Sequence, residues 1–309
     1  MLAGTTVQEC NVDINLETFA GQISNQGRSE RTVRAYCQDV RSFAAWFEQV
    51  NQQPFEMGLI NSVDLRAWRE YSLGTEAVSP STWNRRRASM RVLVDWLMAM
   101  GVLTYDPMQG VEKAKQVELP PRWLTRGELM KVLRQCELNV NGATTEAWKR
   151  QAVRDQAMIA LMAYAGLREG ELVALDVSDV EIRERSGKVV IRRGKGDKRR
   201  EVPLNREARR AVSCWLELIG ADAGPCALFI GKRGRVTTRT VQRRVAEIGR
   251  QAGVELTPHD LRHTFAKRMV DGNVALTTIQ KLLGHARLET TARYVQPGWS
   301  DFEQAVEVL

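Results

Sequence analysis

Cysteine is scarce and unpatterned. Cys10, Cys37, Cys136, Cys214 and Cys226 are odd in number, widely separated and never in a Cys-x-x-Cys pair. This excludes a disulfide framework and a zinc ribbon. No apolar run approaches the ~20 residues that span a bilayer. The start, Met1-Leu2-Ala3-Gly4-Thr5, lacks the charged-then-apolar pattern of a secretory leader. The expected setting is therefore reduced and cytoplasmic, with no membrane partner. A nucleotide-binding glycine loop of the Walker type and an acidic metal cluster are both missing, as are internal repeats and low-complexity tracts. Histidine is rarer still. The three in the chain, His259, His263 and His285, all fall within 27 residues.

What the chain has in excess is positive charge: 45 Lys and Arg face 37 Asp and Glu, for a net charge of +8. The excess is clustered. Six basic residues against two acids lie between Ile191 and Pro203, and seven against Glu247 alone lie between Gly231 and Arg250. Such patches suit a polyanion held through its phosphates, or else form solvated faces.

At 309 residues the chain is long for one core and suits two domains. Residues 13–109, after a tail over 1–12, are predicted to form an all-helical domain. Val33, Tyr36, Val40, Phe43 and Phe47 recur at steps of three and four after Ser29. A second amphipathic segment over 81–100 has Trp83, Val92, Leu93, Trp96 and Leu97 as core candidates and carries Arg85, Arg86, Arg87 and Arg91 near its start. A linker over 110–123 contains Pro120-Pro121, which deny a helix. The remainder, 124–309, is predicted to be mostly helical. It opens on a Thr125-x-x-Glu128 capping box. An apolar helix over 153–165 follows and breaks at Gly166. Short alternating runs around 180–182, 189–191 and 201–204 then imply a small three-stranded antiparallel sheet. The fold class is mainly α.

Five short stretches carry chemistry. Ala165-Gly166-Leu167-Arg168 leads to Glu169-Gly170-Glu171-Leu172, where Glu171 can hold Arg168. Lys195 sits between glycines in an expected hairpin turn. Thr257-Pro258-His259-Asp260 is a helix start that sets His259 and Arg262 on one face, where free N–H groups already favour an anion. His285 follows Gly284, the expected stop of a helix opened by Thr277-x-x-Gln280, and Tyr294 lies nine residues further on. Taken singly, Arg168 is a surface arginine, Lys195 a charged hairpin tip, His285 a capping histidine and Tyr294 a half-buried tyrosine. Together they supply a phenol nucleophile, two forked cations for phosphate oxygens, and lysine and imidazole groups for protons.

The order Arg…Lys…His-x-x-Arg…His…Tyr, with Ala-Gly-Leu-Arg-x-x-Glu-Leu, Gly-Lys-Gly-x-Lys, His-x-Leu-Arg-His-Thr-Phe-Ala, Leu-Leu-Gly-His and Thr-Thr-x-x-Tyr, resembles the tyrosine recombinase (phage-integrase-like) family. The helical segment over 29–47 and the arginine-rich one after Ser81 resemble its core-binding domain, so the likeness covers nearly the whole chain. It implies an enzyme that cuts and rejoins DNA at specific sites, to integrate, excise or resolve a mobile element or replicon. By this resemblance Tyr294 becomes joined to a 3′-phosphate, and Arg168 and Arg262 hold the phosphate oxygens. Lys195 protonates the 5′-oxygen, His259 helps remove the phenolic proton, His285 bonds the phosphate and Glu171 is a supporting acid. No metal or nucleotide cofactor is implied.

The implied partner is double-stranded DNA with paired inverted-repeat core sites. Arg85, Arg86, Arg87 and Arg91 of the small domain, and Arg239, Arg243 and Arg244 of the large one, are the candidate contacts, with the two domains clamping the duplex. The resemblance also implies a head-to-tail cyclic tetramer. Its C-terminal tail, 300–309, with Phe302, Ala305, Val306 and Leu309 on one helical face, would dock on the next subunit. An accessory protein or a second recombinase is admitted as a further partner, and the location is cytoplasmic, on the nucleoid. About a dozen residues precede the first helix, too few for a separate arm-binding domain, which favours a two-domain Xer-like or mobile-element enzyme. Type IB topoisomerases share the chemistry.

Two other readings compete. A DNA-binding regulator without chemistry accounts for the basic patches. A zinc hydrolase would use His259, His263 and His285 as ligands and Asp260 in place of the usual glutamate base, leaving Arg168, Lys195 and Tyr294 without a role.

Overall fold

The computed structural model describes residues 15–116, 121–192, 199–220, 227–231, 234–284 and 294. The chain divides between residues 118 and 119 into two compact units. It is mainly helical, with one three-stranded antiparallel sheet. Among the described residues no helix is long and apolar enough to cross a membrane.

The first unit holds α1 (Leu16–Asn25), α2 (Glu30–Asn51), α3 (Ser62–Glu70), a π-type turn over Tyr71–Thr75, and α4 (Pro80–Ala99). Side-chain caps start each helix: Asn15, Ser29, Asn61 and Ser79 accept from amides of the first turn. The α2 stripe turns inward as expected, with Val40, Phe43 and Phe47 buried and Val33 and Tyr36 at its margin. Trp68 bridges two helices, edge-on to Phe43 at 5.1 Å and to Trp83 of α4 at 5.5 Å. Past α4, the Trp83 indole donates to Glu112 O at 3.1 Å, and Asn84 exchanges two hydrogen bonds with Ala114, at 3.0 and 2.8 Å. Val111 and Ala114 are buried in the same core. Residues 110–114, expected within a linker, therefore pack on the small unit.

The second unit is built around α6 (Glu146–Ala165), buried on nearly every side along its second half and enclosed by α5 (Arg126–Asn141), α8 (Arg206–Ile219) and α10 (Pro258–Asp271). A helix apolar all round belongs at the centre of a domain, and that accounts for its lack of an alternating stripe. After α7 (Glu169–Ala174) come β1 (Val180–Ile182), β2 (Gly187–Ile191) and β3 (Arg200–Pro203) in the order β1-β2-β3. Val189 pairs with Val180 on one side and Val202 on the other, so the apolar alternation sets the register. A two-residue hairpin of β4 (Ile230–Gly231) and β5 (Gly234–Arg235), then α9 (Thr238–Gln251) and α11 (Leu276–Leu283), complete the described elements.

Two boundaries position the site. Helix α6 stops at Gly166, whose φ of 64° is left-handed. A Cβ there would stand 2.5 Å from a Phe265 ring carbon. Helix α11 stops at Gly284, also at φ 64°. Its start differs from expectation. Leu276 is the first helical residue and Ala275 the cap, so Thr277 lies inside the first turn and forms no capping box with Gln280.

Gly166→Ala is expected to cost about 2–4 kcal/mol, because left-handed strain and overpacking against Phe265 add. Urea denaturation of the large unit checks this; a loss below about 1 kcal/mol would show that the turn relaxes freely.

Candidate active site

The site forms where α7, β3, α10 and the C-terminus of α11 meet. Helix α10 begins as the sequence indicates: Pro258 is its first residue, and Thr257 and Asp260 cap each other, with Thr257 N donating to Asp260 Oδ2 at 2.8 Å. That start fixes the phase of the helix and turns Arg262 inward, where it is 3% exposed. Its guanidinium forks between two carbonyls, donating to Gly166 O at 2.5 Å and Leu283 O at 2.7 Å. Arg168, the residue before α7, donates through its amide and Nη1 to the two oxygens of Glu171, at 2.9 and 2.8 Å. It also reaches Leu283 O and Gly284 O, each at 3.4 Å. The expected pairing of Arg168 with Glu171 is thus present in the structure, and Arg168 and Arg262 share Leu283 O.

Burial pushes the Arg262 guanidinium down to about 9, and the neighbouring Arg168 charge adds to that fall. It stays protonated at neutral pH. Burial would raise the Glu171 carboxyl. The hydrogen bond and charge of Arg200, then those of Arg168, outweigh it and hold Glu171 below its ordinary 4.5. Arg200 occupies both Glu171 oxygens, at 2.9 and 2.7 Å.

Tyr294 is 2% exposed, packed with Phe265, Ala266, Ile279 and Leu283. Its hydroxyl lies 2.5 Å from His263 Nδ1. The phenol is near enough to Arg262 to act on its charge. His259 is exposed one turn earlier, its ring 5.9 Å from that of His263. The imidazole in contact with the phenol is therefore His263, whereas the sequence expectation named His259. Lys195, His285 and the tail over 300–309 lie outside the described residues. Asp260, the base that the zinc reading requires, is buried and spent on its own helix cap.

The candidate DNA contacts separate into two groups. In the small unit, Arg86 is 8% exposed and forks onto Glu76 at 2.6 and 2.7 Å. Arg85 bonds buried Asp39, Arg87 donates to Val111 O at 2.6 Å, and Arg91 forks onto Asp106 at 2.9 and 2.5 Å. On α9, Arg239 and Arg243 are exposed, while Arg244 donates to buried Asp155 at 2.6 Å.

The phage integrase family model matches residues 123–298, and the SAM-like N-terminal domain of phage integrases matches residues 16–101. Tyrosine recombinase XerC of Chromohalobacter salexigens is 33% identical over 299 residues, 94% of each chain. XerC of Pseudomonas aeruginosa is 34% identical over 292 residues, covering 91% of this chain and 89% of the relative. This chain belongs to the phage integrase family of tyrosine recombinases. Its fold is that of the XerH recombinase in a pre-cleavage complex with difH, with TM-score 0.70, 22% identity and coverage of 95% and 83%. It is also that of a lambda integrase dimer on a COC' core site, with TM-score 0.67, 16% identity and coverage of 90% and 93%.

Two residues of this candidate site lie outside the sequence expectation. In the sequence His259 fills the motif position, and His263 stands out only as a conceivable zinc ligand. Arg200 was absorbed into a basic patch, although strand alternation sets it on the same face as buried Val202.

A carboxyl lowered on folding contributes stability that is complete above its unfolded value and is lost as pH falls through its folded one. Glu171→Gln is therefore expected to lower the melting temperature by a constant amount above about pH 5 and by progressively less below about pH 4.5. A difference that persists unchanged to about pH 3 would contradict the ionised cluster.

Proposed function

We propose that this recombinase cuts a DNA strand with Tyr294 and delivers the proton of its phenol to His263. The contact between the Tyr294 hydroxyl and His263 Nδ1, one residue beyond the buried Arg262, carries the proposal. A neutral His263 protonated on Nε2 offers Nδ1 as acceptor. The phenol proton moves to Nδ1 while the oxygen attacks phosphorus, the bond from phosphorus to the 5′-oxygen breaks, and Lys195 protonates that oxygen. The 3′-phosphotyrosyl ester conserves the energy of the diester, so a second 5′-hydroxyl reseals the strand by the reverse steps, without ATP. Arg168 and Arg262 neutralise the charge that develops on the phosphate oxygens. With the phenol 2% exposed, DNA binding must uncover it before attack.

His285 remains a proposed phosphate contact, and His259, expected from the resemblance to help remove the phenolic proton, is proposed instead to meet the phosphate at the N-terminus of α10. On α9, Arg239 and Arg243 are the proposed DNA-facing cations. In the small unit Arg85, Arg87 and Arg91 contribute whatever donors their internal bonds leave over. Arg86 supports the fold in which they are held. The substrate is duplex DNA with paired core sites, on which the chain assembles as a cyclic tetramer with its C-terminal tail docked in trans.

On a nicked substrate that traps the cleaved strand, Tyr294→Phe is expected to abolish the covalent adduct on denaturing gels. His263→Ala is expected to slow adduct formation about 10²-fold or more and to remove the acid limb of the pH–rate profile, with added imidazole restoring part of the rate. His259→Ala should keep that limb. An intact acid limb in His263→Ala refutes the proton assignment, and adduct from Tyr294→Phe refutes the nucleophile. Truncation after Trp299 is expected to weaken pairing of two sites more than binding of one, measured by gel shift; equal losses would argue against docking in trans.

A further inference from the structure

Three guanidinium groups, those of Arg168, Arg200 and Arg262, surround the single carboxylate of Glu171. Their shares of it are unequal. Arg200 takes both oxygens in a fork, Arg168 takes one through Nη1 and the other through its amide, and Arg262 stands 3.8 Å away, outside hydrogen-bond reach. The third nitrogen of the Arg200 head, Nε, donates to Leu282 O at 2.8 Å. Its side chain is 9% exposed, so the fork is not a solvated surface pair. Above Gly284, the Arg200 head fills the space a Cβ would need, 2.8 Å from Nη1.

The charges explain why this division matters. A cut phosphodiester develops close to two negative charges, which a net excess of two guanidiniums over carboxylates matches. The cluster holds three positive groups and one carboxylate, and the last carbonyls of α11 add roughly half a negative charge. If Glu171 turned toward Arg262, that arginine would be neutralised where the phosphate must bind. With both oxygens bound by Arg200, the carboxylate is held away.

We propose that Arg200 is a positioning residue of the strand-cutting site. It holds Glu171 in a fork, so that the carboxylate takes one guanidinium nitrogen of Arg168 and no hydrogen bond from Arg262, which leaves a net positive charge for the phosphate, and it fixes the C-terminus of α11 through Leu282 O. The proposal rests on the strand-cutting function above. The alternative is a buried ion pair that only joins β3 to α7.

The two differ in how Arg200→Ala and Glu171→Gln combine. Single-turnover cleavage of the nicked substrate at saturating full-length protein, uncleaved-DNA affinity and melting temperature are measured for Arg200→Ala, Arg200→Lys, Glu171→Gln and the double variant. Arg200→Ala is expected to bind DNA within about threefold of wild type but to cleave about 10²-fold more slowly, since the freed carboxylate turns onto Arg262. Adding Glu171→Gln removes that carboxylate's charge and is expected to restore at least tenfold of the rate. Arg200→Lys keeps the charge without the fork and should fall between, which retains a test if Arg200→Ala folds poorly. Arg200→Ala or Arg200→Lys cleaving at the wild-type rate, or a double variant no faster than Arg200→Ala, overturns the proposal. Absence of adduct from the wild-type protein would instead refute the strand-cutting function itself.

Discussion

Three guanidinium groups gathered around one side chain, one of them buried and two partly buried, would repel and turn toward water unless that side chain were an anion. Glu171 supplies that anion, and the carbonyls of Leu282, Leu283 and Gly284 add the negative end of a helix. Around this arrangement the large domain brings together segments separated by more than 100 residues, from Gly166 to Gly284. A buried ion cluster contributes little net stability, because desolvation opposes the attraction. Its value in the proposed mechanism is directional: it holds two cations ready for an external anion.

The scaffold achieves this through ordinary local rules. Left-handed glycines stop α6 and α11 where their last carbonyls can face the arginines, and the Thr257–Asp260 box sets the phase of α10. One helix then delivers both Arg262 to the carbonyls of Gly166 and Leu283, at the proposed phosphate site, and His263 to the phenol. Tyr294 waits inside a small apolar cluster, its hydroxyl on that imidazole. In the proposed mechanism a nucleophile sheathed in this way attacks only once DNA has rearranged its surroundings, which suits an enzyme that must not nick DNA at random.

Much of this was legible in the residues. The helix starts at Ser29, Thr125 and Thr257, the breaks at Gly166 and Gly284 and the three-stranded sheet each follow from capping chemistry, glycine conformation or alternation, and they appear as expected. The pairing of Arg168 with Glu171 was legible because it is local. Arg200 was not: its partners lie 29 and 82 residues away, and a basic run conceals one inward-facing member. The arginines at the start of α4 show the opposite case. Their density suggested a DNA-facing edge, yet Arg86 is consumed by Glu76, and Arg85, Arg87 and Arg91 also bond partners within their own domain. Charge density along a sequence does not reveal which charges are already paired in the fold.

The most direct test is a crystal structure of the protein with orthovanadate and the two DNA fragments that flank a cut. Vanadium bonded to Tyr294 Oη and to a 5′-oxygen, with Arg168 and Arg262 on its equatorial oxygens and Glu171 still forked onto Arg200, is the arrangement the account requires. Glu171 turned onto Arg262, or vanadium bound away from that phenol, would contradict it.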